Sequence, residues 1–162
     1  MKIGVCASPD KLPLLANLHY DYIEANFSWL AGLDEEAFQQ NTDLIERYAV
    51  PAEAYNIFFR GGMMLYAKDS DQTPLLREIE DYVENGFRRA AAWGGKIAVI
   101  GSGFVRGIPE RMTREEVEPQ FTRVLTVCGE AAERYGMRID IVTDPRRRMS
   151  VHIKIFFRRT PL

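Results

Sequence analysis

Five short apolar runs alternate with four stretches of helical periodicity, and no other feature of the chain restricts its fold as much. The runs are KIGVCAS (Lys2 to Ser8), YDYIEANF (Tyr20 to Phe27), AEAYNIFF (Ala52 to Phe59), KIAVIGSG (Lys96 to Gly103) and MRIDIV, which begins at Met137. Turn and cap residues separate them. Ser8-Pro9-Asp10 ends the first run and opens a short helix, KLPLLANL. Asp34 is placed to cap a second helix, with Glu35 and Glu36 in its first turn, where carboxylates favour the helix dipole. Pro51 stops it. Thr73 reads as the N-cap of a third helix with Pro74 at its first position, and Leu76, Ile79, Val83, Phe87 and Ala90 form its apolar stripe. Thr113 and Glu116 form the capping box of a fourth, which Gly136 closes. Strand and helix in strict alternation imply an α/β fold, a parallel sheet covered by helices. The open doubly wound sheet and the closed eight-fold barrel both satisfy the pattern. No Gly-x-Gly-x-x-Gly follows the first strand, which argues against a dinucleotide site.

In a parallel fold of either kind, working residues sit at the C-terminal ends of the strands. Those ends read Cys6-Ala7-Ser8, Glu24 to Phe27, Tyr55 to Phe59, Gly101 to Gly103 and Thr143-Asp144-Pro145. Glu24 interrupts an apolar strand, where a carboxylate is costly unless paired or used. Asn26 and Asn56 hold matching places on consecutive strands, and aromatics follow each, Phe27 and Phe58 among them. Amides beside aromatic walls suit a polyhydroxylated ligand. The same residues also fit a plainer role, with Glu24 paired to a basic side chain and the asparagines satisfying loop backbone. Ser102, between two glycines after a strand, fits a phosphate cradle or an ordinary strand-to-loop turn. His19 precedes a strand and belongs on the opposite rim.

Charge divides the chain. All 23 acidic residues lie at or before Asp144, whereas six of the 21 basic ones follow it, leaving −8 on the body and +6 on the tail. An acidic body is a poor match for a phosphate backbone, so no nucleic-acid partner is expected. Cys6 and Cys128 have neither metal-ligand spacing nor a disulfide framework, and both read as buried thiols. No apolar run reaches the length of a membrane span and no leader pattern precedes the first strand, so a cytoplasmic protein without membrane contact is expected.

The runs DYIEANFSWL, AYNIFFRGG and KIAVIGSGFVRGIPE, with REEVEPQFTRVLTVCGEAAERYGMRIDI, resemble the sugar phosphate isomerases/epimerases with a xylose-isomerase-like TIM barrel. That superfamily also holds endonuclease relatives. The resemblance runs from Met1 to about Asp144, and it implies a partial (βα) barrel of about four βα units plus a fifth strand, over residues 1–145. In that family the fifth strand ends in Glu-Pro, where the glutamate binds a divalent metal and moves the substrate proton. Asp144-Pro145 stands at the corresponding place, one methylene shorter. The resemblance therefore implies Asp144 as catalytic residue and metal ligand, with Mn or Mg as the metal. It implies Glu24, Asn26, Phe27, Asn56, Phe58 and Ser102 as substrate-binding residues for a sugar or sugar phosphate. Family ligands from strands six to eight have no counterpart, so little activity is expected from this chain alone. The basic tail, residues 146–162, matches no continuation of the barrel and is expected to be a shifted reading frame or a gene truncation. Its VHIKIFF alternates like a half-buried strand, which points to a homo-oligomer with the tail at the interface. The alternatives are an endonuclease-type phosphodiesterase, and a non-catalytic half-barrel that only self-associates or binds carbohydrate.

Overall fold

The computed structural model describes residues 1–68, 71–101 and 105–142. Five parallel strands form its sheet: β1 (Gly4–Cys6), β2 (Tyr22–Asn26), β3 (Ala52–Asn56), β4 (Ile97–Ile100) and β5 (Arg138–Ile141). They lie side by side in chain order. That order separates the two architectures the sequence allows. A doubly wound sheet reverses its strand order at a switch point, whereas strands added in sequence through right-handed crossovers keep all the helices on one face. The fold is thus α/β, a partial (βα) barrel of four βα units and a fifth strand.

Between the strands lie α1 (Leu12–Leu15), flanked by two short 3₁₀ turns, α2 (Phe27–Ala31), α3 (Glu35–Tyr48), α4 (Thr73–Ala92) and α5 (Arg114–Arg134). The caps explain most boundaries. The Asp34 carboxylate accepts the Ala37 N–H at 2.7 Å. Thr113 accepts the Glu116 N–H while the Glu116 carboxylate accepts the Thr113 N–H at 2.7 Å. For α4 the cap shifts by one residue: Gln72 is the N-cap, and the Asp71 carboxylate accepts the Thr73 N–H at 2.9 Å. The strands are shorter than their apolar runs. Phe27 leaves β2 to begin α2, and Ile57 ends β3 with φ of 46°. No helix among the described residues is long and apolar enough to cross a membrane.

The helix-covered face of the sheet holds the core. Ile23 and Ala25 of β2, Ala52 and Tyr55 of β3, and Ala98 and Ile100 of β4 are all buried. Aromatic rings fill the space above them. Phe27 stacks on Phe58 with centroids 4.4 Å apart, and its edge contacts reach Phe87 at 5.0 Å and Tyr82 at 6.0 Å. The buried Arg89 of α4 donates to the Leu30 and Leu33 carbonyls at 3.1 and 2.6 Å, closing the C-terminal end of α2. The opposite sheet face is open to a degree the apolar run of β4 does not suggest: Ile97 and Val99 are half-buried, and Arg138 and Asp140 on β5 are exposed. Alternate residues point to opposite faces, so a strand that is apolar throughout is fully buried only where both faces are covered.

Candidate functional site

The parallel ladder carries Glu24 and both asparagines to the same end of the sheet, but a plain ladder would not align them. Ile23 pairs with Ala52, whereas Glu24 pairs with Ala54, so one residue of β3 is bulged out between them. A shift of one residue flips every following side chain to the other face. Without the bulge Asn26 would stand opposite Tyr55; with it, Asn26 stands opposite Asn56. The extra residue is Glu53, whose carboxylate takes hydrogen bonds from Lys2 Nζ at 2.5 Å and Lys96 Nζ at 2.6 Å. These partners come from the strands' N-terminal ends, away from the site, and hold the Glu53 pKa below its ordinary value.

At the other end an open concavity of about 310 Å³ is lined by Cys6, Ala7 and Ser8 after β1, Glu24 and Asn26 of β2, Trp29 of α2 and Asn56 of β3. Cys6 pairs with Glu24 in register, and its thiol donates to Glu24 Oε2 at 3.2 Å. Asn56 Nδ2 donates in turn to the Cys6 sulfur at 3.6 Å. The hydrogen bond to Glu24, reinforced by burial and by the carboxylate's charge, raises the thiol pKa above its ordinary value. Asn26 combines both roles open to it. Its Oδ1 caps α2, accepting the Trp29 N–H at 3.0 Å and the Ser28 hydroxyl at 2.9 Å, while its Nδ2 has no acceptor among the described residues. Glu24 has no lysine or arginine partner among the described residues.

Three expectations need correction. Phe27 and Phe58 are not ligand-facing walls: both are 0% exposed and lie in the core stack on the helix-covered side. Strand alternation explains Phe27, which follows buried Ile23 and Ala25 at a spacing of two. The positive φ of Ile57 turns the chain so that Phe58 enters the core. Cys6 is not a buried thiol but an exposed one at the site; Cys128 is the buried one, its pKa driven up by desolvation. Trp29, which was not anticipated, supplies the aromatic at the rim; nothing in the spacing announced the five-residue helix that carries it. His19 lies just before β2, at the far end of the sheet. Ser102, Asp144 and the tail from residue 143 onward lie outside the described residues.

A divalent metal is not accommodated by the described residues. No three His, Cys, Asp or Glu side chains converge among them, and the concavity brings together Glu24 and Cys6, already hydrogen-bonded to each other.

No protein-family profile and no curated protein matches this sequence. Solved structures do match. A D-tagatose 3-epimerase-like protein superposes with a TM-score of 0.67 at 18% identity, over 93% of this chain and 56% of its own. A sugar phosphate isomerase/epimerase from Parabacteroides distasonis gives 0.59 at 14% identity, over 86% and 50%. The IolI protein, solved with a zinc atom, gives 0.57 at 20% identity, over 87% and 51%. At such identities the likeness is one of fold. The chain spans about half the length of these structures.

Proposed function

We propose that the concavity binds a polyhydroxylated ligand, a sugar or sugar phosphate, and that the chain belongs to the chemistry of the isomerases and epimerases whose fold it shares. The observation that carries this reading is the convergence of Glu24, Asn26 and Asn56 at the C-terminal strand ends, beside Trp29, in a space the size of a monosaccharide. Carboxylate and amide groups bind hydroxyls by accepting and donating, and an indole packs against the C–H face of a sugar ring. The family reaction is proton transfer next to a carbonyl, and a bound divalent metal polarises the oxygens in it. The described residues supply binding groups and no metal-binding trio, so we expect little turnover from this chain by itself. That same lack favours a second reading, carbohydrate binding without catalysis. A phosphodiesterase reading finds no support in the described lining, which carries a carboxylate and no basic side chain.

We also propose a homo-oligomer. Among the described residues β1 and β5 are the outer strands of the sheet, each paired on one side, and open strand edges favour association with another chain.

Binding of D-fructose, followed by ligand-observed NMR, tests the site. Loss of about tenfold in affinity is expected for Glu24→Ala and Asn56→Ala, the scale of one or two lost hydrogen bonds. No binding of any ketohexose or its phosphate, or binding that ignores both substitutions, would remove the reading. Deuterium uptake from D₂O beside the sugar carbonyl, with Mn²⁺ present, separates the two readings: uptake above the protein-free rate supports isomerase chemistry, and its absence leaves binding alone.

A further inference from the structure

We propose that this concavity selects a pair of neutral hydroxyls over a phosphate group, and that Cys6 is the positioning residue that sets the preference. The inference rests on the reading of a polyhydroxylated ligand and narrows it to a neutral sugar segment at this rim.

Asn56 Nδ2 donates one of its two hydrogens to Cys6 Sγ, and Cys6 Sγ donates its own to Glu24 Oε2, so this chain of hydrogen bonds runs in one direction. Asn56 Oδ1 and Glu24 Oε1 are left without a donor among the described residues. The Ser8 hydroxyl spends its hydrogen on Asp10 and keeps its lone pairs. Asn26 has the opposite polarity: Trp29 N–H and Ser28 Oγ occupy its Oδ1, so its Nδ2 remains free to donate. The rim therefore presents acceptors from Glu24, Asn56 and Ser8, and neutral donors from Asn26, from the second Asn56 Nδ2 hydrogen and from the Trp29 indole N–H, which has no acceptor among the described residues. A hydroxyl both donates and accepts. Two neighbouring hydroxyls can donate into Glu24 and Asn56 while one of them accepts from Asn26.

A phosphate dianion fits this pattern badly. It brings acceptors alone and two negative charges, which would meet the Glu24 carboxylate with only neutral N–H groups of Asn26, Asn56 and Trp29 to offset the repulsion. Phosphate sites are built from arginine, lysine or clustered backbone N–H groups. The described lining has no Lys, Arg or His. Cys6 is central because a thiol can relay in this way: without it Asn56 is free to turn its amide, and Glu24 loses the bond that fixes its carboxylate. The carboxylate also keeps the thiol protonated at neutral pH, so the relay persists there.

The test compares D-fructose with D-fructose 6-phosphate by titration calorimetry, at low salt and at high salt. The wild-type protein is expected to prefer fructose by about tenfold at low salt, with the gap shrinking as salt screens the charge. Glu24→Gln, which keeps shape and removes charge, should bring the gap below about threefold. Cys6→Ala should weaken fructose binding by about fivefold, and Cys6→Ser, which can still donate, should restore it. Phosphate binding equal to or tighter than fructose overturns the proposal and leaves the polyhydroxyl reading standing. Binding of neither probe overturns both. Unchanged fructose affinity in Cys6→Ala removes Cys6 from the proposal. Circular dichroism checks that each variant is folded; if one is not, the wild-type ratio and its salt dependence decide.

Discussion

Replacing Phe27 by alanine separates a core residue from a ligand-contacting one. The Phe27 ring is 0% exposed and touches four aromatic partners, with Phe58 stacked on it and Phe87, Tyr82 and Tyr55 at its edges. Removing a buried phenylalanine ring costs about 3–5 kcal/mol, more where the neighbours cannot collapse into the void. Here the partners stand on β3, on α4 and at the fixed turn after Asn56, so the upper part of that range is expected. In urea, with a slope of about 2 kcal/mol per molar for a domain of this size, the midpoint should fall by about 2 M. Gly86 probes the same contact from the other side. A Cβ there would come within 2.5 Å of the Phe27 ring. Gly86→Ala should cost about 1–2 kcal/mol, overpacking less the gain in helix propensity. Combined with Phe27→Leu it should cost less than the two single changes added, because the smaller side chain makes room for the methyl group. If Phe27→Ala moved the midpoint by less than about 0.5 M and abolished fructose binding, the ring would be a ligand wall and the core assignment wrong.

Arg89→Met should destabilise by about 2–3 kcal/mol and weaken ligand binding with it, since it strips the donors from the end of the helix that carries Trp29; thermal unfolding and titration read the two effects. Glu53 has a folded pKa below its unfolded one, so its contribution is present above about pH 4.5 and is lost as acid protonates it. The stability difference between wild type and Glu53→Gln should therefore be present at pH 6 and vanish on acidification, and a difference that persists at pH 2 would contradict the pairing with Lys2 and Lys96. Cys6 should be the thiol that iodoacetamide modifies in the folded protein, slowly at pH 7.5 because Glu24 raises its pKa and faster in Glu24→Gln, while Cys128 should react after unfolding. Light scattering on the chain with and without residues 146–162 should show a dimer that the shorter form loses; a monomer in both cases would dismiss the oligomer.

The sequence by itself determined the alternation of strand and helix, the caps at Asp34 and Thr113 and the apolar stripe of α4, because these depend on neighbours within a few residues along the chain. It also located Glu24, Asn26 and Asn56 at strand ends, since a parallel fold fixes which end of a strand carries the chemistry. Tertiary structure decided what the local pattern left open. The strand order, which separates a barrel segment from a doubly wound sheet, is a matter of which strands pair; the alternating pattern serves both, and only the resemblance to the xylose-isomerase-like barrels anticipated the order found. The bulge at Glu53 sets Asn26 beside Asn56, and the lysines that hold the Glu53 carboxylate, Lys2 and Lys96, lie 51 and 43 residues away along the chain. Cys6 became a site residue because the ladder put it across from Glu24, and in a short apolar strand nothing marks which end residue will stay uncovered. Phe27 and Phe58 moved the other way, into the core, because a side chain's face depends on its register and on the turn that follows. A one-residue change in either exchanges the inside for the outside.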